Sequence, residues 1–180
     1  MALRPGTHLL GPIAGSLQVL TYREGFAQKV GHDLILTVAR WEASVEVAAD
    51  GSCSEVRLDA DPGSLEVTDG RNGIKPLSAR DREEIRRNID QRVLQGRRIT
   101  FASSRVDSEA GSLSMTGELS LGDAARAVAF DLALGEDGRL QATLPLVQSH
   151  WSIKPYSALM GALKVRDAVD VVLDVQLPVD

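Results

Sequence analysis

The stretch GSLSMTGELSLGDAARAVAFDLAL, residues 111–134, carries the same two-residue hydrophobic period twice. In its first half, every second position is apolar except for one glycine: Leu113, Met115, Gly117, Leu119, Leu121. In its second half the period continues with Val128, Phe130, Leu132, Leu134. Alternate side chains of a β-strand point to opposite faces, so each half predicts a strand with one buried face. Only Gly122 and Asp123 mark a turn between them, and so short a connection predicts an antiparallel pair.

This alternation recurs along much of the chain. Further runs with every second residue apolar occupy residues 34–38, 41–47, 56–60, 140–146 and 169–177. The dipeptides Asp50-Gly51 and Asp137-Gly138 are typical of hairpin turns. The apolar phase changes between residues 39 and 41, which predicts a bulge or bend there. The runs therefore predict an antiparallel sheet of about eight strands, a number at which a closed barrel holds packed side chains or one small ligand.

Residues 78–95, SARDREEIRRNIDQRVLQ, depart from the β pattern and predict a helix. Apolar residues recur every fourth position and form one stripe: Ile85, Ile89, Val93. Ser78 is a suitable N-cap with Asp81 three residues later, and Gly96 is placed to end the helix. Seven arginines and four acids mix over residues 80–98, which is typical of a solvated helix face with local ion pairs; an anion-binding or membrane-surface site is the alternative.

An open antiparallel sheet exposes its edges, and closure into a barrel removes them. We therefore predict one all-β domain over residues 1–180, an eight-stranded antiparallel barrel with one inserted α-helix. A two-sheet sandwich is the alternative, because periodicity alone does not separate the two folds.

Composition narrows the function classes. The chain has 180 residues, 43% hydrophobic, which fits one domain with a sizeable core. A net charge of −5 argues against general nucleic-acid binding, which needs many phosphate contacts. The single cysteine, Cys53, excludes an intrachain disulfide and fits a reducing compartment. No secretory signal and no transmembrane-length apolar run are recognisable, so we expect a cytoplasmic protein without stable membrane insertion.

Catalytic signatures are missing from the sequence. It contains no GxSxG, Walker, GxGxxG or HExxH motif, and its three histidines share no metal-ligand spacing. We therefore expect no metal and no cofactor, and we do not expect an enzyme.

The segment VGHDLILTV, residues 30–38, contains the one candidate acid–base pair that we considered, His32 and Asp33. His32 and Asp33 form an acid–base pair or hold a polar ligand head only if both reach one pocket. Neighbouring strand residues point to opposite faces, however. The interpretation we favour is structural: Asp33 accepts backbone amide hydrogen bonds and His32 packs as a satisfied polar residue.

Residues 149–165, SHWSIKPYSALMGALKV, are apolar without a clean period and are broken by Pro155 and Gly161. Trp and Tyr combine an apolar body with a polar tip, and Met adapts to irregular shapes. The segment predicts either the lining or lid of an apolar cavity, or a plug that fills the barrel end.

Four stretches together resemble the YceI-like family of lipocalin-like, polyisoprenoid-binding proteins. They are YREGFAQKVGHDLILTVARWEASVEV (22–47), RRITFASSRV (97–106), residues 111–134, and SHWSIKPYSALMGALKVRDAVDVVLDVQL (149–177). The order and spacing of these stretches carry the resemblance over nearly the whole chain. Two features depart from the family: Trp151-Ser152 replaces its usual Phe-Gly, and the secretion signal of many members is not recognised. The resemblance implies an eight-stranded lipocalin-like barrel around an elongated apolar cavity.

This resemblance, with the alternating strands, gives our first hypothesis: the barrel binds or carries a long apolar molecule such as an isoprenoid, a quinone or another lipid. The candidate apolar lining is Leu36, Phe101, Met115, Phe130, Leu144, Trp151, Leu159 and Met160. The candidates for the polar end of the ligand are His32, Lys154 and Tyr156. Two alternatives are an enzyme using His32 and Asp33 at the cavity rim, and a structural or partner-binding barrel with a filled core. An exposed sheet edge also permits a homodimer.

Overall fold

The computed structural model describes residues 3–109 and 111–179, which form fourteen strands and one α-helix. The strands are β1 (Gly6–Leu10), β2 (Gly15–Thr21), β3 (Arg23–Glu24), β4 (Asp33–Val38), β5 (Trp41–Val47), β6 (Cys53–Ala60), β7 (Leu65–Arg71), β8 (Ile99–Glu109), β9 (Ser112–Leu121), β10 (Ala124–Leu134), β11 (Arg139–Val147), β12 (Ser157–Ala158), β13 (Leu163–Val165) and β14 (Ala168–Gln176). The helix α1 (Ala79–Asn88) continues as a π-helical segment, Ile89–Leu94. Short 3₁₀ turns occupy Gln28–Val30, Pro62–Ser64, Gln148–Trp151 and Leu159–Gly161.

Eleven strands form one strongly curled antiparallel sheet, a half-barrel, in the order β1-β5-β6-β8-β9-β10-β11-β14-β2-β4-β7. The remaining three strands form a small sheet, β12-β13-β3. The predicted all-β barrel class is therefore confirmed. The predicted count of eight strands is wrong, because β1, β2, β7 and the short strands β3, β12 and β13 gave no clear alternation in the sequence.

Two bends bring the ends of the curled sheet together. β4 and β5 are consecutive in the chain, yet they lie next to opposite edges of the sheet. The chain crosses between them at the predicted bend, Ala39-Arg40, while the turn Pro62–Ser64 makes the matching crossing from β6 to β7. Backbone hydrogen bonds join the two crossings: Ala39 N donates to Ser64 O and Asp61 N donates to Arg40 O, both at 3.0 Å. The inner faces of the strands consequently enclose one interior.

The helix forms where the sequence predicts it. Ser78 is its N-cap: the Ser78 hydroxyl accepts from the Asp81 amide, and the Asp81 carboxylate accepts from the Ser78 amide at 2.9 Å. Gln95 takes a left-handed conformation directly before Gly96 and ends the π-helical segment. The helix packs on β7, where the Arg82 guanidinium donates to Val67 O at 2.7 Å. No helix in the described ranges is long and apolar enough to cross a membrane.

Candidate ligand-binding cavity

The curled sheet surrounds a cavity of about 770 Å³. This volume lies within the range of small-molecule sites, about 300–1,000 Å³. Its wall consists mainly of the inward-facing apolar residues of the long strands, among them Leu17, Val19, Leu58, Leu113, Leu132, Leu140, Val171 and Val175. The period-two pattern thus supplies the wall, since every second side chain of each strand faces inward.

Six of the eight predicted lining residues do lie on this wall: Leu36, Phe101, Met115, Phe130, Leu144 and Trp151. Phe101 and Phe130 come from different strands, and their ring centroids are 5.7 Å apart. The Trp151 indole donates to Leu119 O at 2.8 Å, which holds its ring in a fixed orientation. The cavity also contradicts the alternative of a filled core.

Three predicted residues lie elsewhere. Leu159 and Met160 are exposed, because both have positive φ angles in a turn that directs them outward. Lys154 is exposed as well, and does not line the cavity. Ile153 and Leu163, on either side of this turn, take the wall positions instead. Pro155 and Gly161 indicated a break in this segment, but nothing in the sequence indicated positive φ angles at Leu159 and Met160, since left-handed conformations at Leu and Met are uncommon.

One end of the cavity carries a cluster of polar groups. His32 and Tyr156, two of the candidates for the polar end of the ligand, line the cavity here together with Lys75, Lys164 and Gln148. His32 Nε2 is 2.7 Å from Lys75 O, so the imidazole joins the start of β4 to the loop after β7. The Arg92 guanidinium lies 5.2 Å from the Tyr156 ring centroid, a cation–π contact that connects the helical segment to the loop before β12.

Asp33 does not share this site with His32. Its carboxylate accepts from Arg23 N at 2.8 Å and from Asn72 Nδ2 at 2.6 Å, and it is not part of the cavity wall. Burial favours the neutral acid, but these hydrogen bonds outweigh it and hold the pKa of Asp33 below its ordinary value. The hypothesis of a His32–Asp33 acid–base pair is therefore wrong, and Asp33 has the structural role that we favoured.

Two polar residues of the wall escaped the sequence analysis. Thr21 and Trp41 are 8% and 6% exposed and both line the cavity. Within the described ranges, Thr21 Oγ1 and Trp41 Nε1 are the buried side-chain polar atoms that lack a hydrogen-bond partner. The alternation over 41–47 did place Trp41 on an apolar face, but nothing in the sequence indicated that its indole N–H is unpaired. Both tryptophans of the chain, Trp41 and Trp151, line the cavity.

The helical segment covers one side of the cavity. Its predicted stripe, Ile85, Ile89 and Val93, faces the interior, as does Leu94. Cys53 also lines the cavity, and burial raises the pKa of its thiol. No group of three or more His, Cys, Asp or Glu residues in the part of the chain that the structure describes is arranged to hold a metal ion.

A family model matches the sequence, and solved structures match the fold. The family model of the YceI-like domain matches residues 23–177. The crystal structure of BcnA from Burkholderia cenocepacia has a TM-score of 0.65 at 11% identity, covering 89% of this chain and 94% of that one. A Campylobacter jejuni YCEI protein has a TM-score of 0.57 at 12% identity, covering 81% and 85%. No curated protein matches the chain significantly. At such low identity, the similarity to these structures shows the fold alone.

Proposed function

This chain belongs to the YceI-like domain family, and from that premise we propose that it binds and carries a long apolar small molecule such as an isoprenoid, a quinone or another lipid. The family is known for binding polyisoprenoids or lipids. The observation that carries the proposal is the cavity of about 770 Å³ with its apolar wall. Each methylene that moves from water into such a wall gains about 0.8 kcal/mol. A ligand with a long hydrocarbon chain therefore gains the most binding free energy from this wall.

The unpaired polar atoms of the wall favour a ligand that also contains oxygen. An unpaired buried donor costs about 1–3 kcal/mol, so a ligand acceptor near the Trp41 indole relieves that cost. His32 and Trp41 lie beyond opposite ends of β4, a strand about 17 Å long. We assign His32 and Tyr156 to one polar end of the ligand site and Trp41 to a second polar contact. A prenyl alcohol or quinone fits this pattern better than a pure hydrocarbon.

The Trp41 assignment has its own test. Trp41→Phe removes the N–H donor and keeps an aromatic ring. It should weaken the binding of a C20 prenyl alcohol about fivefold or more, because a hydrogen bond is worth about 1 kcal/mol. It should leave the affinity for a hydrocarbon of the same chain length nearly unchanged. The measurement is ligand titration followed by native mass spectrometry. Equal effects on both ligands would remove Trp41 from the polar site.

Binding itself is tested by native mass spectrometry of the purified protein and by extraction of its bound lipids. We expect a co-purifying apolar molecule or saturable uptake of an added C20 prenyl alcohol. Because both tryptophans line the cavity, uptake should also change the intrinsic fluorescence. The proposal would be contradicted if no ligand co-purified with the protein and long-chain lipids produced no change in its fluorescence.

We also propose a cytoplasmic location and a homodimer. A single buried cysteine is compatible with a reducing compartment, and cell fractionation tests it. The strand β1 lies at one edge of the sheet and can pair with a second copy, and light scattering of the purified protein tests that association.

A further inference from the structure

Three segments of the chain meet at the polar end of the cavity, and we call them the mouth segments: residues 22–33, 71–77 and 154–166. The first and third are joined by Arg166 N donating to Tyr22 O at 2.7 Å and Ala27 N donating to Ala162 O at 2.8 Å. The first and second are joined by the contact of His32 Nε2 with Lys75 O, also at 2.7 Å. These bonds make the mouth segments one continuous surface around the cavity entrance.

This surface is unusually apolar for a solvent-facing part of a protein. Of the seven large hydrophobic side chains that are exposed among the described residues, five belong to the mouth segments: Phe26, Val30, Ile74, Leu159 and Met160. Phe26 and Met160 are fully exposed, while Val30 and Ile74 also line the cavity. The exposed apolar surface is therefore continuous with the cavity wall. Apolar exposure concentrated in one place marks an interaction site.

The same surface concentrates positive charge. All four lysines of the chain, Lys29, Lys75, Lys154 and Lys164, lie in the mouth segments and are exposed. With three arginines they make seven cations, against two carboxylates in the same segments, although the whole chain has a net charge of −5. Two of the seven cations already have a carboxylate partner: Arg23 pairs with Asp33, and Arg71 pairs with Asp69 just outside the segments. Over residues 3–109 and 111–179, no carboxylate pairs with any of the four ammonium groups.

Exposed apolar side chains among unpaired lysines are the chemistry of a protein surface that binds an anionic lipid bilayer. We propose that the mouth segments dock on the surface of an anionic membrane, with Phe26 and Met160 entering the interface and the lysines facing lipid phosphates. The negative remainder of the protein is repelled by the same membrane, which orients the entrance toward the lipid. Direct passage of a ligand between bilayer and cavity rests on the proposed function, whereas docking itself does not.

Vesicle co-sedimentation tests the docking. The probes are vesicles of phosphatidylcholine alone and of phosphatidylcholine mixed with phosphatidylglycerol. We expect the protein to bind the anionic vesicles and to bind the neutral vesicles at least tenfold more weakly. Binding to the anionic vesicles should decrease as the salt concentration is raised. Lys75→Gln and Lys164→Gln should each reduce partitioning about fivefold, since a lysine near an anionic surface contributes about 1 kcal/mol.

The apolar part is tested with the double variant Phe26→Ser/Met160→Ser. Both side chains are fully exposed, so the fold should tolerate the change while partitioning falls at least tenfold. Ile13→Ser is the matched control, because Ile13 is equally exposed and precedes β2, about 20 Å along that strand from Tyr22. Arg57→Gln on the outer wall is the charge control. Both controls should bind vesicles like the original chain.

The outcomes separate docking from ligand binding. If the protein takes up a prenyl alcohol but neither vesicle sediments it, docking is overturned and the surface fits a protein partner instead. Docking would also be overturned if the mouth variants and the two controls lost vesicle binding to the same extent. If anionic vesicles bind the protein with the expected variant pattern while no ligand enters the cavity, docking is supported and the proposed function fails.

Discussion

Neighbouring side chains at the start of β4 have different roles. His32 lines the cavity entrance and contacts Lys75 O, whereas Asp33 turns away to Arg23 and Asn72. The separation follows from strand geometry, since consecutive residues point to opposite faces. A pair that looks catalytic in the sequence is therefore divided between a ligand-facing residue and a structural one.

Asp33→Asn should destabilise the fold at neutral pH. The substitution removes the charge that strengthens two hydrogen bonds, so we expect the free energy of unfolding to fall by about 1–2 kcal/mol. The folded pKa of Asp33 lies below its unfolded value of about 4, so its stabilisation is full above pH 4 and is lost as pH falls through the folded pKa. The free energies of unfolding of Asp33→Asn and of the original chain should consequently approach each other as the pH falls into the acid range.

Urea denaturation at pH 7 and near pH 3 measures this difference. Asp123→Asn, in the exposed turn between β9 and β10, is the control and should change little. A variant as stable as the original chain at pH 7 would contradict the role of Asp33.

Gly117 is fixed by its neighbours across the sheet. An added Cβ would collide with Ala102 O and lie 2.5 Å from Phe101 Cζ. We expect Gly117→Val to lower the free energy of unfolding by about 2 kcal/mol through overpacking, despite the better strand propensity of valine. Thermal denaturation measures this loss of stability. A midpoint for Gly117→Val that equals or exceeds that of the original chain would show that Phe101 moves aside without cost.

The sequence predicted which residues face inward wherever a strand was regular. It failed at Leu159 and Met160, where two positive φ angles reverse the expected direction. It also could not show that the Trp41 indole lacks an acceptor while the Trp151 indole has one, because Leu119 is brought to Trp151 only by the fold.

Among the elements, the helix is the one best determined by local sequence. Its cap, its charge order and its apolar stripe all act within a few residues, so residues 78–95 sufficed to predict it. The β4–β5 bend was also visible, as a change of phase. Which strands pair across the two bends was not, since β4 and β5 lie next to opposite edges of the sheet. Such pairing depends on contacts far apart in the chain.

The capping box should contribute measurably to the helix that covers the cavity. Ser78→Ala removes the hydroxyl that accepts from the Asp81 amide and donates to the Asp81 carboxylate, and we expect a loss of about 1 kcal/mol in the free energy of unfolding. Amide hydrogen exchange should become faster over the first turn of α1. Because Asp81 is the other member of the box, the Ser78→Ala and Asp81→Ala effects should sum to more than that of the double variant. Simple additivity would contradict the capping interaction.

For the whole molecule, the central feature is that a curled sheet, two bends and one helix enclose an apolar interior without filling it. The sequence predicted the apolar wall from its period, and the family resemblance implied the cavity. An open interior could not be derived from periodicity alone, because the same alternation builds a barrel whose side chains fill it.

The most direct test of the account compares two tryptophan substitutions on one strand. Ala142 lines the cavity, whereas its neighbour Thr143 is exposed on the opposite face of β11. Titration of a C20 prenyl alcohol, followed by native mass spectrometry, should show at least tenfold weaker binding to Ala142→Trp, because the indole occupies the ligand volume. Thr143→Trp should bind like the original chain. Equal binding by both variants would contradict a ligand site inside the barrel.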